Sequence, residues 1–200
     1  MVLNDKSIRK LVSEKELISP FEEKKLQSES YDLTLGNRIS VLNKIPRFID
    51  LRTETDCEKL YKTLELTEEG YPLSPNEYVL VMLKERINLP ENITAHIRPR
   101  TRFTRLGLIV SNQHCNSTYS GVLHVGIFNA TNSTINIVPD IKICQIVFEE
   151  LNDIPSENKQ YKNKDNALYQ NEGNDEFRGP KLDEKTEKIV KNIVDSYLGD

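Results

Sequence analysis

The sequence predicts a mainly β protein, an antiparallel barrel or sandwich with a short helix before it and another after it. Three observations carry this expectation. From about residue 64 to 151, short apolar segments recur at regular spacing. Pro, Asn or Gly interrupts them, as turns interrupt strands. The spacing is that of strands joined by turns and not of alternating βα units.

Taken in order, residues 4–18 predict an amphipathic helix. Asn4 or Asp5 can cap it, and Ile8, Leu11 and Val12 fall on one face. A polar stretch with Pro20 follows. In SYDLTLGNRISVL, Leu33, Leu35, Ile39 and Val41 alternate with polar residues, as strands do. YVLVML, TAHIR, LGLIV, GVLHVGIFN, TINIV and KICQIVFEEL are the strands expected further on.

After Leu151 the composition changes. Asn152 to Lys188 is rich in Asn, Lys, Asp and Glu, with few anchors beyond Tyr161, Tyr169 and Phe177. Such a segment buries too little surface to order by itself, so it is a mobile tail or orders on a ligand. Leu182, Ile189, Val190, Ile193, Val194 and Tyr197 then share a helical stripe. That helix either docks on its own domain or meets a partner or a second copy. The expected division is a core at 1–151, a polar tail at 152–180 and an amphipathic helix at 181–200.

Bulk composition bounds the function. Two hundred residues suffice for one domain with a real core. The net charge of −4 argues against a general nucleic-acid binder, which would show a broad basic surface. The longest apolar run, Tyr78–Leu83, is too short to span a membrane. The polar start, MVLNDKSIRK, lacks the apolar core of a signal peptide. Cys57, Cys115 and Cys144 fit no disulfide or CxxC pattern, which points to reduced thiols in the cytoplasm.

Against this acidic background, RPRTRFTRLG concentrates Arg98, Arg100, Arg102 and Arg105. The first three are spaced i, i+2, i+4, so on an extended strand they would point the same way, with Pro99 placing the piece at an edge or turn. Between Asn92 and Phe148 there are five Lys or Arg and one acid, Asp140. Something must offset that repulsion. A polyphosphate would, since planar guanidinium forks bind phosphate oxygens in pairs. A solvated basic edge that discourages sheet aggregation is a second reading. A nucleic-acid patch is a third, with Phe103 as the single stacking aromatic. There is no P-loop or GxGxxG. His114–Cys115 alone is thin support for a metal.

The run RTRFTRLGL, then YSGVLHVGIFN, then IVPDIKICQIVFEEL resembles the dCTP deaminase branch of the dUTPase superfamily. LNDKSIRKLV and SYDLTLG resemble that family's opening helix and strand, and YKNKDNALYQNEG its closing tail. The resemblance covers roughly residues 2–173 and leaves the terminal helix outside. It implies a distorted β-barrel or jelly roll of the β-clip type, assembled as a homotrimer with each site at a subunit interface. It also implies a nucleoside triphosphate ligand that carries Mg²⁺ on its phosphates. It implies no zinc, and the H-x-E and PCxxC ligands of zinc deaminases are missing from the sequence.

Residue by residue, Arg100 and Arg105 match the two motif arginines, one for phosphate and one near the reacting base. Thr101 keeps the hydroxyl of the first motif serine, and Arg102 adds charge in place of the second. Tyr161 matches the tail tyrosine that contacts the nucleotide. The departures bear on chemistry. The glutamate that the family uses as general base falls on Gly126, and the sugar-contacting aspartate falls on Asn116. The tail lysine and glutamine fall on Leu168 and Glu172.

Deamination needs a group that takes a proton from water and returns it to the leaving amine. No glutamate lies between Asn92 and Phe148. His124, two residues before Gly126 and on the same strand face, is the candidate substitute. Its displacement of about 6–7 Å along a strand leaves a space-filling or carbonyl-bonded histidine as the alternative. The expectation is therefore a triphosphate-binding protein impaired in standard dCTP deamination, acting as a nucleotide sensor or regulator. An active divergent deaminase or dUTP pyrophosphatase, drawing on His124 or on Glu149 or Glu172 of another subunit, is the alternative.

Overall fold

The computed structural model of the chain describes residues 1–43 and 60–173. The expected terminal helix at 181–200 lies outside the described residues, as do residues 174–180 of the tail. Helix α1 (Asp5–Lys15) begins where Asn4 accepts a hydrogen bond from the Ser7 amide at 3.0 Å. It ends at Glu16, which turns left-handed at φ 51° and returns its N–H to Leu11 and Val12. Ile8 is the buried anchor of its apolar face.

The body is antiparallel throughout. Strands β1 (Ile18–Ser19), β2 (Tyr31–Leu42), β3 (Tyr61–Glu65), β5 (Tyr78–Asn88), β6 (Ile93–Pro99), β7 (Leu108–Val110), β8 (Gln113–Cys115), β9 (Ser120–Asn129) and β11 (Lys142–Glu150) share one sheet. β4 (Tyr71–Leu73) and β10 (Ile135–Ile137) form a separate pair. The large sheet runs β7-β9-β5-β2-β11-β6-β8, with β1 on β5 and β3 on β2. β7 and β8 stand at opposite ends of that order, yet only Ser111 and Asn112 separate them in the chain. The sheet must therefore curl until its ends nearly meet, which gives the expected mainly β, barrel-like architecture.

Its interior is filled by Leu33, Leu35, Val79, Val81, Val125, Ile127, Ile146 and Phe148, each essentially inaccessible. Burial of side chains of this size is worth about 1.5–3 kcal/mol each. β2 departs from simple alternation, because its polar residues Asp32 and Thr34 are buried as deeply as Leu33 and Leu35. Among the described residues no helix is long and apolar enough to cross a membrane.

Candidate functional site

The arginine segment does not form the expected strand face. β6 ends at Pro99, Arg100 serves as an extended N-cap, and Thr101–Leu106 form a short helix, α2. Gly107 closes it with φ 91°, donating its N–H toward Phe103 and Thr104. A Cβ at Gly107 would lie 2.5 Å from Cγ2 of Thr131, so both conformation and space require glycine there. The helix wins because Phe103 can be buried beneath it while Thr101, Arg102 and Arg105 stay in solvent. Arg102 and Arg105 then share a helix face at i, i+3, with the Arg102 guanidinium 5.2 Å from the Phe103 ring centroid. Arg98 and Arg100 belong to the strand end before it.

Arg100 is engaged inward. Its Nη1 lies 2.6 Å from Oδ2 of Asp32, whose side chain is 2% exposed. Asp32 also accepts from Lys142 Nζ at 3.3 Å, Gln27 Nε2 at 3.2 Å and Gln145 Nε2 at 3.3 Å. The positive charge of the segment thus has a buried counter-charge from β2. A second buried carboxylate, Glu85, accepts from the Thr34 amide at 2.9 Å, the Thr34 hydroxyl at 2.7 Å and Lys25 Nζ at 2.9 Å. Burial opposes the charge on Lys25, but hydrogen bonds to Glu22 and Glu85 outweigh it and hold the ammonium above its ordinary value.

A cavity of about 710 Å³ opens where β8 faces β9, covered by the segment after β11. Asn116, His124 and Tyr161 all line it; Arg100, Thr101, Arg102 and Arg105 do not. The tail covers this cavity through backbone and amide bonds, since it has few apolar anchors. Asn171 donates its N–H to Ser120 O at 2.7 Å, and Val122 donates to Glu172 O at 3.0 Å. Gln170 accepts from the Ser120 amide and donates to Thr118 O. Lys162 N donates to the Thr118 hydroxyl at 3.1 Å, and the Tyr161 and Tyr119 rings lie 5.9 Å apart.

Inside the cavity, Nδ1 of His124 lies 3.6 Å from Oε1 of Glu172, with the two side chains 13% and 5% exposed. Gln113 Nε2 donates to the His124 carbonyl at 2.5 Å and ties β8 to β9. Burial pushes the Cys115 thiol up to about 12, so it stays protonated and is no nucleophile. Burial likewise raises Tyr119, which remains a neutral hydroxyl donating to Val122 O at 3.3 Å.

Gly126 sits beside this cavity without lining it. Its N–H reaches the Ser111 hydroxyl at 2.8 Å, and its carbonyl accepts the Ser111 amide at 2.9 Å. Register pairs Leu80 with Gly126 and Tyr78 with Phe128, which lays the Tyr78 ring across the glycine. A Cβ at 126 would lie 2.7 Å from Cε2 and Cζ of Tyr78. The position is closed to a larger side chain unless that ring moves.

One cationic cavity residue, Lys164, was not singled out in the sequence. Lys164 lines the cavity from the tail and supplies a cation that the resemblance sought at Leu168. Glu172, an alternative base in the sequence reading, lies 3.6 Å from His124 of its own chain.

Comparison with known proteins places this geometry in a family. Residues 2–151 match the model of a family described as dCTP deaminase-like. A protein of Sulfurihydrogenibium sp. strain YO3AOP1 named "dCTP deaminase, dUMP-forming" is 36% identical over 155 residues, 76% of this chain and 86% of its own length. One of the same name from Persephonella marina is 32% identical over 160 residues, covering 79% and 88% of the two chains. Among solved structures, the 2'-deoxycytidine 5'-triphosphate deaminase of Agrobacterium tumefaciens shares the fold, with a TM-score of 0.60 at 22% identity. That match covers 74% of this chain and 48% of the other, so this chain spans about half the length of that one. The family model matches three quarters of the sequence, and a relative above 30% identity is aligned over most of both chains: the chain belongs to the dCTP deaminase-like family.

Proposed function

We propose that the chain binds a deoxypyrimidine nucleoside triphosphate and is impaired in standard dCTP deamination. The observation that carries this reading is Gly126, where the resemblance expects a glutamate and where the Tyr78 ring occupies the adjoining space. A protein that holds the nucleotide but lacks that base acts through its bound state, as a sensor or regulator of nucleotide supply. Arg102 and Arg105 on α2, with Arg100 behind them, are the proposed phosphate ligands, and Mg²⁺ would arrive with the phosphates. Asn116 and Tyr161 are the proposed contacts to the sugar and base.

The arginines do not line the cavity, and a site that joins parts of two copies would bring them to it. Exposed Leu106 and Ile109, which follow the arginines in the chain at 54% and 58% exposure, supply an apolar surface for that contact. A homotrimer in the cytoplasm is the assembly and location this reading adopts, and residues 181–200 are its candidate partner-binding segment.

A second reading, an active divergent dCTP deaminase or dUTP pyrophosphatase, is favoured by the names of the curated relatives and by the imidazole and carboxylate in the cavity. Thermal shift with dCTP, dUTP, dTTP and ATP tests the first reading. Stabilisation by deoxypyrimidine triphosphates is expected, and a flat response at millimolar ligand would refute nucleotide binding. Assays for ammonia and pyrophosphate then separate a regulator from an enzyme.

A further inference from the structure

We propose that His124 and Glu172 form an imidazole–carboxylate general base that replaces the carboxylate missing at position 126. The proposal rests on nucleotide binding in this cavity and develops the second reading above. His124 comes from β9 and Glu172 from the tail, yet Nδ1 and Oε1 approach to 3.6 Å. The approach is built by the backbone: Asn171 and Glu172 pair with Ser120 and Val122 on the edge of β9, which fixes the carboxylate over the strand. Among the described residues lining the cavity, Glu172 is the one carboxylate. The other imidazole there, His114, is exposed and packs against the His96 ring at 4.9 Å.

Roles follow from atom positions. A carboxylate facing Nδ1 favours the tautomer with its proton on that nitrogen and leaves Nε2 to accept one. The 3.6 Å separation is longer than a hydrogen bond, and such contacts tighten when substrate closes a site. Among the described residues, the ionisable groups that line the cavity with His124 are Glu172, Lys164, Tyr161 and Tyr169 from the tail, His114 and Cys115 from β8, Tyr119 from the turn and Tyr61 from β3.

In the step proposed, a water oxygen bonds to C4 of the bound cytosine while one water proton passes to Nε2. That proton is handed to the exocyclic amine, the C4–N4 bond breaks, and the second water proton ends on ring N3. Water and a cytosine nucleotide thus become a uracil nucleotide and ammonia, with no change in oxidation state. The other role for the pair is mechanical, a polar latch that pins the tail.

The test measures dCTP binding by calorimetry and ammonia release from dCTP between pH 5 and 9. The proteins are the full-length wild type, His124→Ala and Glu172→Gln. The expected wild-type kcat rises with pH on one limb near neutrality. His124→Ala should lower kcat by about 10²–10⁴ while binding dCTP within about twofold, and added imidazole should restore part of the rate. Glu172→Gln should lower kcat less than His124→Ala, and added imidazole should not restore its rate. A latch would change dCTP affinity and give no rescue by imidazole, and that result overturns the proposal. Wild type that binds dCTP but releases no ammonia, or shows no rising limb, also overturns it and leaves the binding reading intact. Wild type that binds no triphosphate removes both. Should His124→Ala fail to fold, His124→Asn and the wild-type pH profile still decide the question.

Discussion

Arg100 and Asp32 form an ion pair of 2.6 Å between the start of α2 and the buried side of β2. Asp32 is the hub, since Lys142, Gln27 and Gln145 also point to it. Removing its charge leaves Arg100 and Lys142 facing each other across a neutral amide. Breaking a fully buried pair costs about 3–5 kcal/mol. Arg100 and Lys142 keep about a third of their side chains in solvent and can rehydrate, so Asp32→Asn should cost less, about 2 kcal/mol. At this chain length that is a fall of roughly 4–8 °C in melting temperature. Calorimetric melting checks it, and an unchanged midpoint would show the pair to be idle.

The Lys25–Glu85 pair is more deeply enclosed, with side chains 5% and 0% exposed. Lys25→Met strands a buried carboxylate that still accepts from Thr34 but has lost its cation. The expected loss is about 3–5 kcal/mol. The double variant Lys25→Met, Glu85→Leu should be more stable than Lys25→Met alone, because no uncompensated charge remains. Urea unfolding of the three proteins measures the difference.

How much of this was legible in the sequence depends on the range of the interaction. The strands were legible because alternation is local: GVLHVGIFN and KICQIVFEEL became β9 and β11 almost residue for residue. The RTRFTRL helix was not, because Pro99 and the i, i+2, i+4 arginines favour an extended reading. What decides for helix is a core that takes Phe103 and a left-handed Gly107. Asp32 looked like the polar half of an alternating strand, since its cationic partners come from β11 and the start of α2. The tail looked unanchored because its anchors are backbone groups and the amides of Gln170, which composition does not reveal. Asn116 and Tyr161 were found by matching motifs, and His124 by its place on the strand two residues before Gly126. That they share a cavity required the curl of the sheet.

The Tyr78–Gly126 contact should behave as a coupled pair. Gly126→Ala pushes a methyl into the Tyr78 ring, and overpacking of this kind costs about 1–3 kcal/mol. Tyr78→Ala alone uncovers the glycine and loses the ring's packing. In the double variant the methyl has space, so its stability should exceed the sum of the single losses by at least about 0.5 kcal/mol. A double-mutant cycle by chemical denaturation reads the coupling directly, and additive losses would mean that the ring swings aside freely.

Acid stability should carry the signature of Glu22. Hydrogen bonds from Lys25 and then Lys24 hold its carboxyl down at about 2, against 4.5 for the ordinary group. The folded value lies below the unfolded one, so the contribution is complete above about 4.5 and is lost as pH falls toward about 2. Glu22→Gln should remove that part of the pH dependence and leave the curve above pH 5 parallel to wild type. Melting temperatures from pH 2 to 7 test the sign, and a variant whose acid limb keeps the wild-type slope would contradict it.

Arg102 and Arg105 give the clearest test of phosphate binding, because Arg100 is also part of the Asp32 cluster. Both project from α2 into solvent, so alanine at either should change stability by no more than about 0.5 kcal/mol. Each charge-assisted bond to a phosphate is worth about 1.5–3 kcal/mol, which predicts a loss of about 10- to 150-fold in dCTP affinity at each site. The loss for dCMP should be several-fold smaller, since the outer phosphates are gone. Arg100→Ala should weaken triphosphate binding as well, but together with a lower melting temperature from the broken Asp32 pair. Titration calorimetry with both nucleotides on all three variants separates these outcomes. Equal losses for mono- and triphosphate at Arg102 and Arg105 would remove the phosphate role from this helix and leave it a solvated basic edge.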